Sequence, residues 1–137
     1  MSEGFFIDIA MEKTIAAICT APGAAGISVV RVSGKQAVEL AAQLCPQKKL
    51  KKMEGGSFFY TTLHSPITNE LIDEAIVLVY RAPHSYTGED TVELQVHGGH
   101  VSSQLILKEL LSLGAISASA GEFTCRAFLN GRLDLSR

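Results

Sequence analysis

The sequence has few cysteines and no excess of basic residues. Its three cysteines, Cys19, Cys45 and Cys125, lie far apart in the 137 residues, so neither a zinc-binding spacing nor a disulfide framework is present. We expect these thiols to be reduced and mostly buried. A formal net charge of −2 argues against a dedicated nucleic-acid-binding domain, which usually carries a strong basic excess.

Long apolar runs are also missing. No stretch approaches the roughly 18 apolar residues that a membrane-spanning helix needs. The first residues, MSEGFFIDIAMEK, contain an early acid and no basic segment, so we expect no secretory signal peptide. These features predict a cytoplasmic protein without a membrane partner. With 47% hydrophobic residues, the length suits one domain with a sizeable core.

The apolar periodicity predicts the element order β-β-α-β-β-β-α-β-α. This order is typical of an α+β fold with a mixed sheet and about three helices. The predicted strands cover 14–20, 26–33, 57–64, 72–81, 91–97 and a short segment after residue 114; the predicted helices cover 35–45, 99–113 and a segment ending near residue 130. The lysine-rich segment PQKKLKKMEGG is predicted to be a solvated loop, with RNA contact as the alternative.

The strand TVELQVH alternates strictly, with Val, Leu and Val on one face and Glu93, Gln95 and His97 on the other. A carboxylate such as that of Glu93 can accept two parallel N–H bonds, which complements the guanidine-like edge of Arg, guanine or the pterin ring of folates. The alternatives are a solvated strand face or a salt bridge to Arg31. Taken alone, the residues favour these alternatives.

Arg31 lies among apolar neighbours in the strand GISVVRVS, where an unpaired charge is costly. Its partner is therefore either an internal carboxylate or an anionic ligand. Arg126 and Arg132, near the C-terminus, could bind an anion together with Arg31. Salt bridges on the protein surface are the alternative for both.

The sequence shows no catalytic signature. The glycine-rich turn TAPGAAGIS lacks the GxxxxGK[ST] pattern of a phosphate loop, so it is expected to be structural. His97 and His100 have no third ligand at a recognised spacing, so no metal site is expected. Neither a Ser-His-Asp set nor a pair of carboxylates is apparent. The residues alone therefore indicate a binding domain of the α+β class.

Three segments carry a family resemblance: TIAAICTAPGAAGISVVRVSG, SYTGEDTVELQVHGG and AGEFTCRAFLNGRLDLSR. Together they resemble the N-terminal domain of the bacterial and organellar tRNA modification GTPases of the MnmE (TrmE) type. The resemblance covers 13–137, with 1–12 as an N-terminal extension. In that family a helical domain follows, with a Ras-like GTPase domain inserted in it. The final RLDLSR is typical of a helix that begins at Asp134, so we expect the chain to be a fragment.

The resemblance implies a fold similar to tetrahydrofolate-binding domains of the glycine-cleavage T-protein kind. It also implies a homodimer that binds 5-formyl-tetrahydrofolate or a related tetrahydrofolate close to the dimer interface. The GTP, potassium and magnesium sites would belong to the absent GTPase domain, so this chain alone should not be catalytic. The full protein would act with a flavin-dependent partner of the MnmG (GidA) type. Together they modify carbon 5 of the wobble uridine in tRNA, and the folate supplies a one-carbon unit.

The resemblance places the folate contacts on Arg31, Glu93 and Arg132. Glu93 would hold the N3–H and 2-amino donors of the pterin, while the two arginines would meet its anionic or carbonyl side. The position of Arg132 is often Lys in this family, and Arg keeps the charge but changes its geometry. Two other functions stay open: a stand-alone folate-dependent aminomethyl transfer enzyme and a purely structural dimerisation module.

Overall fold

The structure, a computed structural model, describes residues 12–19, 26–46 and 48–131, and every structural statement below concerns those residues. The strands are β1 Ile15–Ile18, β2 Ser28–Ser33, β3 Ser57–His64, β4 Leu71–Tyr80, β5 Thr91–Val96 and β6 Ile116–Ser117. The α-helices are α1 Ala37–Ala42, α2 Gly99–Ser112 and α3 Glu122–Leu129, and a 3₁₀ helix covers Lys48–Lys52.

The strands form one mixed sheet in the order β3-β4-β5-β2-β1-β6. Neighbouring strands are antiparallel, except that β1 and β6 run parallel. The α+β class with a mixed sheet and three helices is therefore confirmed. Strand β4 lies between β3 and β5, a place that suits its apolar residues 75–80.

The core lies on one face of the sheet, beneath α1 and α2. Alternate strand residues point into it, as the period-2 pattern requires. Its buried members include Val30, Val32, Leu40, Val77, Val79, Leu94, Ile106 and Leu110. Burial of each such side chain stabilises the fold by about 1.5–3 kcal/mol. The opposite face of β2 and β5 therefore carries the intervening residues, which include Arg31 and Glu93.

The start of α1 depends on a close approach of two chain segments. Gly34 has a φ of +137°, and a Cβ added there would lie 2.7 Å from the Cα of Thr14. The hydroxyl of Thr14 also accepts a hydrogen bond from the amide of Gln36 at 3.0 Å. Helix α1 occupies Ala37–Ala42 and is therefore shorter than the predicted helix 35–45. Any other residue type at position 34 would have to displace the backbone of the neighbouring segment.

The lysine-rich segment after α1 is not the loop that the sequence predicted. Lys48–Lys52 forms a 3₁₀ helix. Three residues make one turn of such a helix, so positions i and i+3 lie on the same side. Leu50 is fully buried, and Met53 packs against the core. The three-residue spacing of Leu50 and Met53 lets both contact the core, which explains why this charged segment is ordered.

The expectation of mostly buried thiols was wrong. Cys19 and Cys125 are exposed, and Cys45 is partly buried. Burial raises the pKa of the Cys45 thiol to about 11. Cys19 lies just beyond the end of β1, and Cys125 lies on the exposed side of α3, so neither reaches the core.

Within the described residues, no helix combines the length and the apolar character that crossing a lipid bilayer requires. The helix expected from Asp134 onwards lies outside the described residues, as does most of the turn APGAAG.

Candidate functional site

Arg31 and Glu93 form an ion pair on the sheet face opposite the main core. They are direct partners in the register of β2 and β5. The Nε atom of Arg31 donates to Oε2 of Glu93 at 2.9 Å, and the side chains are 21% and 17% exposed. The salt bridge that the sequence offered as an alternative is therefore present. Because both side chains keep some exposure, the pair also remains accessible to a ligand.

Two aromatic rings hold the guanidinium of Arg31 in place. The ring centroids of Tyr86 and Phe123 lie 5.2 Å and 5.1 Å from its Cζ atom. Tyr86 comes from the loop between β4 and β5, and its hydroxyl hydrogen-bonds the hydroxyl of Thr124 in α3 at 2.8 Å. Cation–π contacts of this kind contribute about 0.5–1 kcal/mol when exposed and more when desolvated. Three separate segments thus position one arginine.

Sequence reasoning did not select Tyr86 or Phe123 as site residues. Both lie within the segments that carry the family resemblance, in SYTGED and GEF. The signal available in the sequence was the presence of an aromatic residue in each of these segments, together with a strand arginine that has no partner close to it in the sequence. The contact itself joins positions far apart in the chain, so residue spacing could not reveal it.

A cleft of about 590 Å³ opens beside Arg31. Its lining includes Ala17, Cys19, Arg31, Tyr86 and Phe123, together with the segment 118–121 that precedes α3. Clefts for small ligands usually measure about 300–1,000 Å³ and combine apolar walls with a few polar groups. This cleft has that size, and Arg31 is the charged residue among the described residues that line it.

The ion pair also affects nearby titratable groups. Partial burial raises the pKa of the Cys19 thiol, and the positive charge of Arg31 offsets part of this increase. Burial also raises the pKa of the Tyr80 hydroxyl, and the negative charge of Glu93 adds to the effect. Both groups therefore stay protonated at neutral pH.

Arg126 does not join Arg31 as an anion-binding group, and it is not a surface residue. Its side chain is 2% exposed and bonds both carboxylate oxygens of Glu89, at 3.0 Å and 3.1 Å. Glu122 lies one helical turn away and is paired to Arg126 at 3.4 Å. Glu89 also accepts a hydrogen bond from Ser33 at 2.9 Å. This buried pair fastens α3 to the loop that carries Tyr86 and so fixes two walls of the cleft.

The third predicted folate contact, Arg132, lies outside the described residues. The role of Arg132 therefore stays a prediction. Two residues earlier in the chain, the side-chain amide of Asn130 donates to the carbonyl of Thr87 at 2.8 Å. That bond ties the end of α3 to the same loop.

His97 and His100 lie at the start of α2, where a carboxylate of the chain binds the backbone amides just before the helix. Asp73 on β4 accepts hydrogen bonds from the amides of His97 at 3.1 Å and Gly98 at 2.6 Å. Partial burial acts to raise the pKa of Asp73, but these bonds and one from Ser102 hold it below its usual value. The described residues contain no group of three or more His, Cys, Asp or Glu side chains placed to hold a metal ion.

Comparison with known families identifies the domain. The family described as GTP-binding protein TrmE N-terminus matches residues 14–132, which includes every element of the site. The chain belongs to this family. The predicted resemblance to the TrmE type is thereby confirmed.

Individual relatives agree with the family match. The chain is 46% identical over 127 residues to a tRNA modification GTPase MnmE of Thermus thermophilus, covering 93% of this chain and 29% of the relative. It is 50% identical over 123 residues to a protein of the same name from Campylobacter jejuni, covering 90% and 27%. The chain therefore spans less than a third of the length of these TrmE relatives.

Proposed function

We propose that this chain is the folate-binding and dimerisation domain of a tRNA modification GTPase. The observation that carries the proposal is the ion pair of Arg31 and Glu93 beside an aromatic-walled cleft. The family match supports the tRNA modification role. The ion pair supports folate binding, because it places a carboxylate that accepts hydrogen bonds beside a guanidinium that donates them.

The residues of the site fit a tetrahydrofolate such as the 5-formyl derivative. Only Oε2 of Glu93 is engaged by Arg31 among the described residues, so the carboxylate keeps acceptor capacity for the N3–H and 2-amino groups of a pterin. Among the described residues Arg31 uses only its Nε atom for the ion pair, so its two terminal nitrogens would meet a carbonyl or carboxylate of the ligand. Arg132 would add a second positive charge. When bound, the folate would supply the one-carbon unit.

The wider role is proposed from the family resemblance rather than from the geometry of this site. We infer that the whole protein is a cytoplasmic homodimer that modifies carbon 5 of wobble uridine with a flavin-dependent MnmG-type partner. GTP, potassium and magnesium would bind a separate GTPase domain of the whole protein. The names of the relatives support a role in tRNA modification and GTP chemistry. This chain alone would not hydrolyse GTP.

Calorimetric titration with 5-formyl-tetrahydrofolate tests the proposal. We expect wild-type chain to bind with a micromolar Kd, about −8 kcal/mol. Glu93→Ala should lose most of this affinity, because the pterin donors then lack their acceptor. Glu70→Ala is the matched control, since Glu70 is an exposed turn residue outside the lining of the cleft and should leave binding unchanged.

The two alternative functions give different results in the same experiment. A dimeric wild-type chain that binds no folate at millimolar concentration would favour the structural dimerisation module. Turnover of a one-carbon donor by the chain alone would instead indicate a stand-alone transfer enzyme.

A further inference from the structure

A second charged surface lies on the 3₁₀ helix Lys48–Lys52, here called the basic turn. Four of the 12 lysines and arginines of the chain lie in these five residues. The wider segment 43–53, QLCPQKKLKKM, contains no acidic residue. A molecule with a formal net charge of −2 thus concentrates a third of its positive charge on one short segment.

The geometry of the basic turn separates its lysines from its apolar residues. Because a 3₁₀ helix has three residues per turn, Leu50 and Met53 share the side that faces the core. Lys49 and Lys52 share another side, about 6 Å apart along the axis at a rise of about 2.0 Å per residue. Lys49, Lys51 and Lys52 are all exposed. The positive charges therefore form an ordered array on the surface.

Hydrogen bonds from Arg81 and the buried side chain of Leu50 fix the backbone of the basic turn. Arg81 donates to the carbonyl of Lys51 at 2.9 Å and twice to that of Met53, at 3.2 Å and 3.1 Å. Leu50 is fully buried, and Nζ of Lys49 lies 4.4 Å from the ring centroid of Phe59. Because three hydrogen bonds and a buried anchor already order this backbone, little further backbone entropy would be lost when a ligand binds.

The internal partners of these lysines are few. Lys51 pairs with Glu39 at 3.2 Å, but both side chains are more than half exposed, at 53% and 62%. A solvated pair of this kind contributes little free energy, so a polyanion can displace it. Lys49 and Lys52 have no ion-pair partner among the residues that the structure describes.

We propose that the basic turn binds the phosphate backbone of tRNA. The proposal rests on the proposed function in tRNA modification and adds a contact surface to it. A row of lysines on an ordered backbone suits a polyphosphate, because such contacts position the nucleic acid without reading its sequence. A membrane surface is less suited, since interfacial segments pair basic residues with large exposed apolar side chains, and segment 43–53 exposes none in the part described.

Binding of fluorescently labelled bulk tRNA to the 137-residue chain, followed by anisotropy over a range of salt concentrations, tests this surface. The test variant removes three of the four charges of the basic turn and consists of Lys49→Gln, Lys51→Gln and Lys52→Gln. The control makes the same change in net charge at three other exposed or partly exposed lysines and consists of Lys13→Gln, Lys35→Gln and Lys108→Gln. Thermal unfolding of both variants verifies that the fold is retained.

We expect the test variant to bind tRNA at least about tenfold more weakly than wild type near physiological salt. Its slope of log affinity against log salt should fall by about 2–3, because up to three phosphate contacts are lost. The control should change affinity by less than about twofold. Equal losses in both variants, or no binding of tRNA by wild type, would overturn the proposal.

Two further measurements separate this surface from other interpretations. Polyglutamate and anionic phosphatidylserine vesicles should bind wild type more weakly than tRNA does, and the reverse order would assign the basic turn to an acidic protein or a membrane. The test variant should bind 5-formyl-tetrahydrofolate as wild type does. Failure of folate binding in wild type would count against the folate site and leave the tRNA result to stand separately.

Discussion

Arg31 and Glu93 show how single residues build the candidate site. Each lies on the face of its strand that points away from the core, so neither charge is fully desolvated. Their pairing in register fixes both side chains before a ligand arrives. Pre-organisation of this kind raises affinity because fewer rotamers are lost on binding.

Phe123 should matter for binding because its ring lies against the guanidinium of Arg31. Phe123→Leu removes the ring but keeps an apolar side chain, and we expect a two- to fivefold weaker affinity for 5-formyl-tetrahydrofolate, about 0.5–1 kcal/mol. Phe123→Tyr keeps the ring and should bind like wild type. Calorimetry of both variants measures the difference, with thermal midpoints recorded in parallel. Equal affinities for the two variants would show that the ring does not position Arg31.

At the level of elements, the sequence predicts most strands well because alternation is a local signal. Strand β3 has the predicted limits, and the alternating strand β5 presents Glu93 opposite the core as expected. The 3₁₀ helix of the lysine-rich segment was not predicted, because only two apolar residues, Leu50 and Met53, show its three-residue spacing. The aromatic contacts to Arg31 were missed for a different reason. They depend on α3 packing against the loop after β4, and no local pattern encodes that packing.

The start of α2 gives a pH-dependent prediction. The pKa of Asp73 is lower than its usual value of 3.8, because the bonds from Gly98, Glu74, Ser102 and His97 outweigh the effect of partial burial. A carboxyl with a depressed folded pKa stabilises the fold above its unfolded pKa, and that contribution is lost as the pH falls through the folded pKa. Asp73→Asn should therefore unfold at lower urea than wild type at pH 6.

The difference between Asp73→Asn and wild type should shrink as the pH falls below about 4, the usual range for Asp. Urea midpoints measured from about pH 6 down to about pH 2.5 span this range and give the comparison. Glu70→Gln, in an exposed turn, serves as the control and should show no pH-dependent gap. A gap for Asp73→Asn that stays constant over the whole range would mean that the charge of Asp73 does not stabilise the helix start.

At the level of the whole molecule, one face of the sheet supports the core and the other carries the candidate site. One face is covered by α1 and α2 and holds the main core. The other carries the ion pair, the cleft and α3, which the buried Arg126–Glu89 pair fastens in place. The basic turn lies beyond α1, on a segment anchored to the core by Leu50. Substitutions in the basic turn and in the cleft beside Arg31 should therefore act independently, since they share no contact among the described residues.

The proposed dimer provides the last prediction. If folate contacts both copies at their interface, it binds the dimer more tightly than the monomer, and by linkage it then strengthens the dimer. Sedimentation velocity should show a species of twice the 14.7 kDa chain mass. Its dissociation constant should fall when 5-formyl-tetrahydrofolate is added at a concentration well above the Kd.

Glu93→Ala separates the two parts of this prediction. The variant should still dimerise, because Glu93 lies beside the cleft and pairs within its own chain, but folate should no longer change its dissociation constant. Folate that binds wild type without shifting the monomer–dimer equilibrium would place the ligand away from the interface. A wild-type chain that stays monomeric at all concentrations would remove the dimer from the proposed function while leaving the folate site intact.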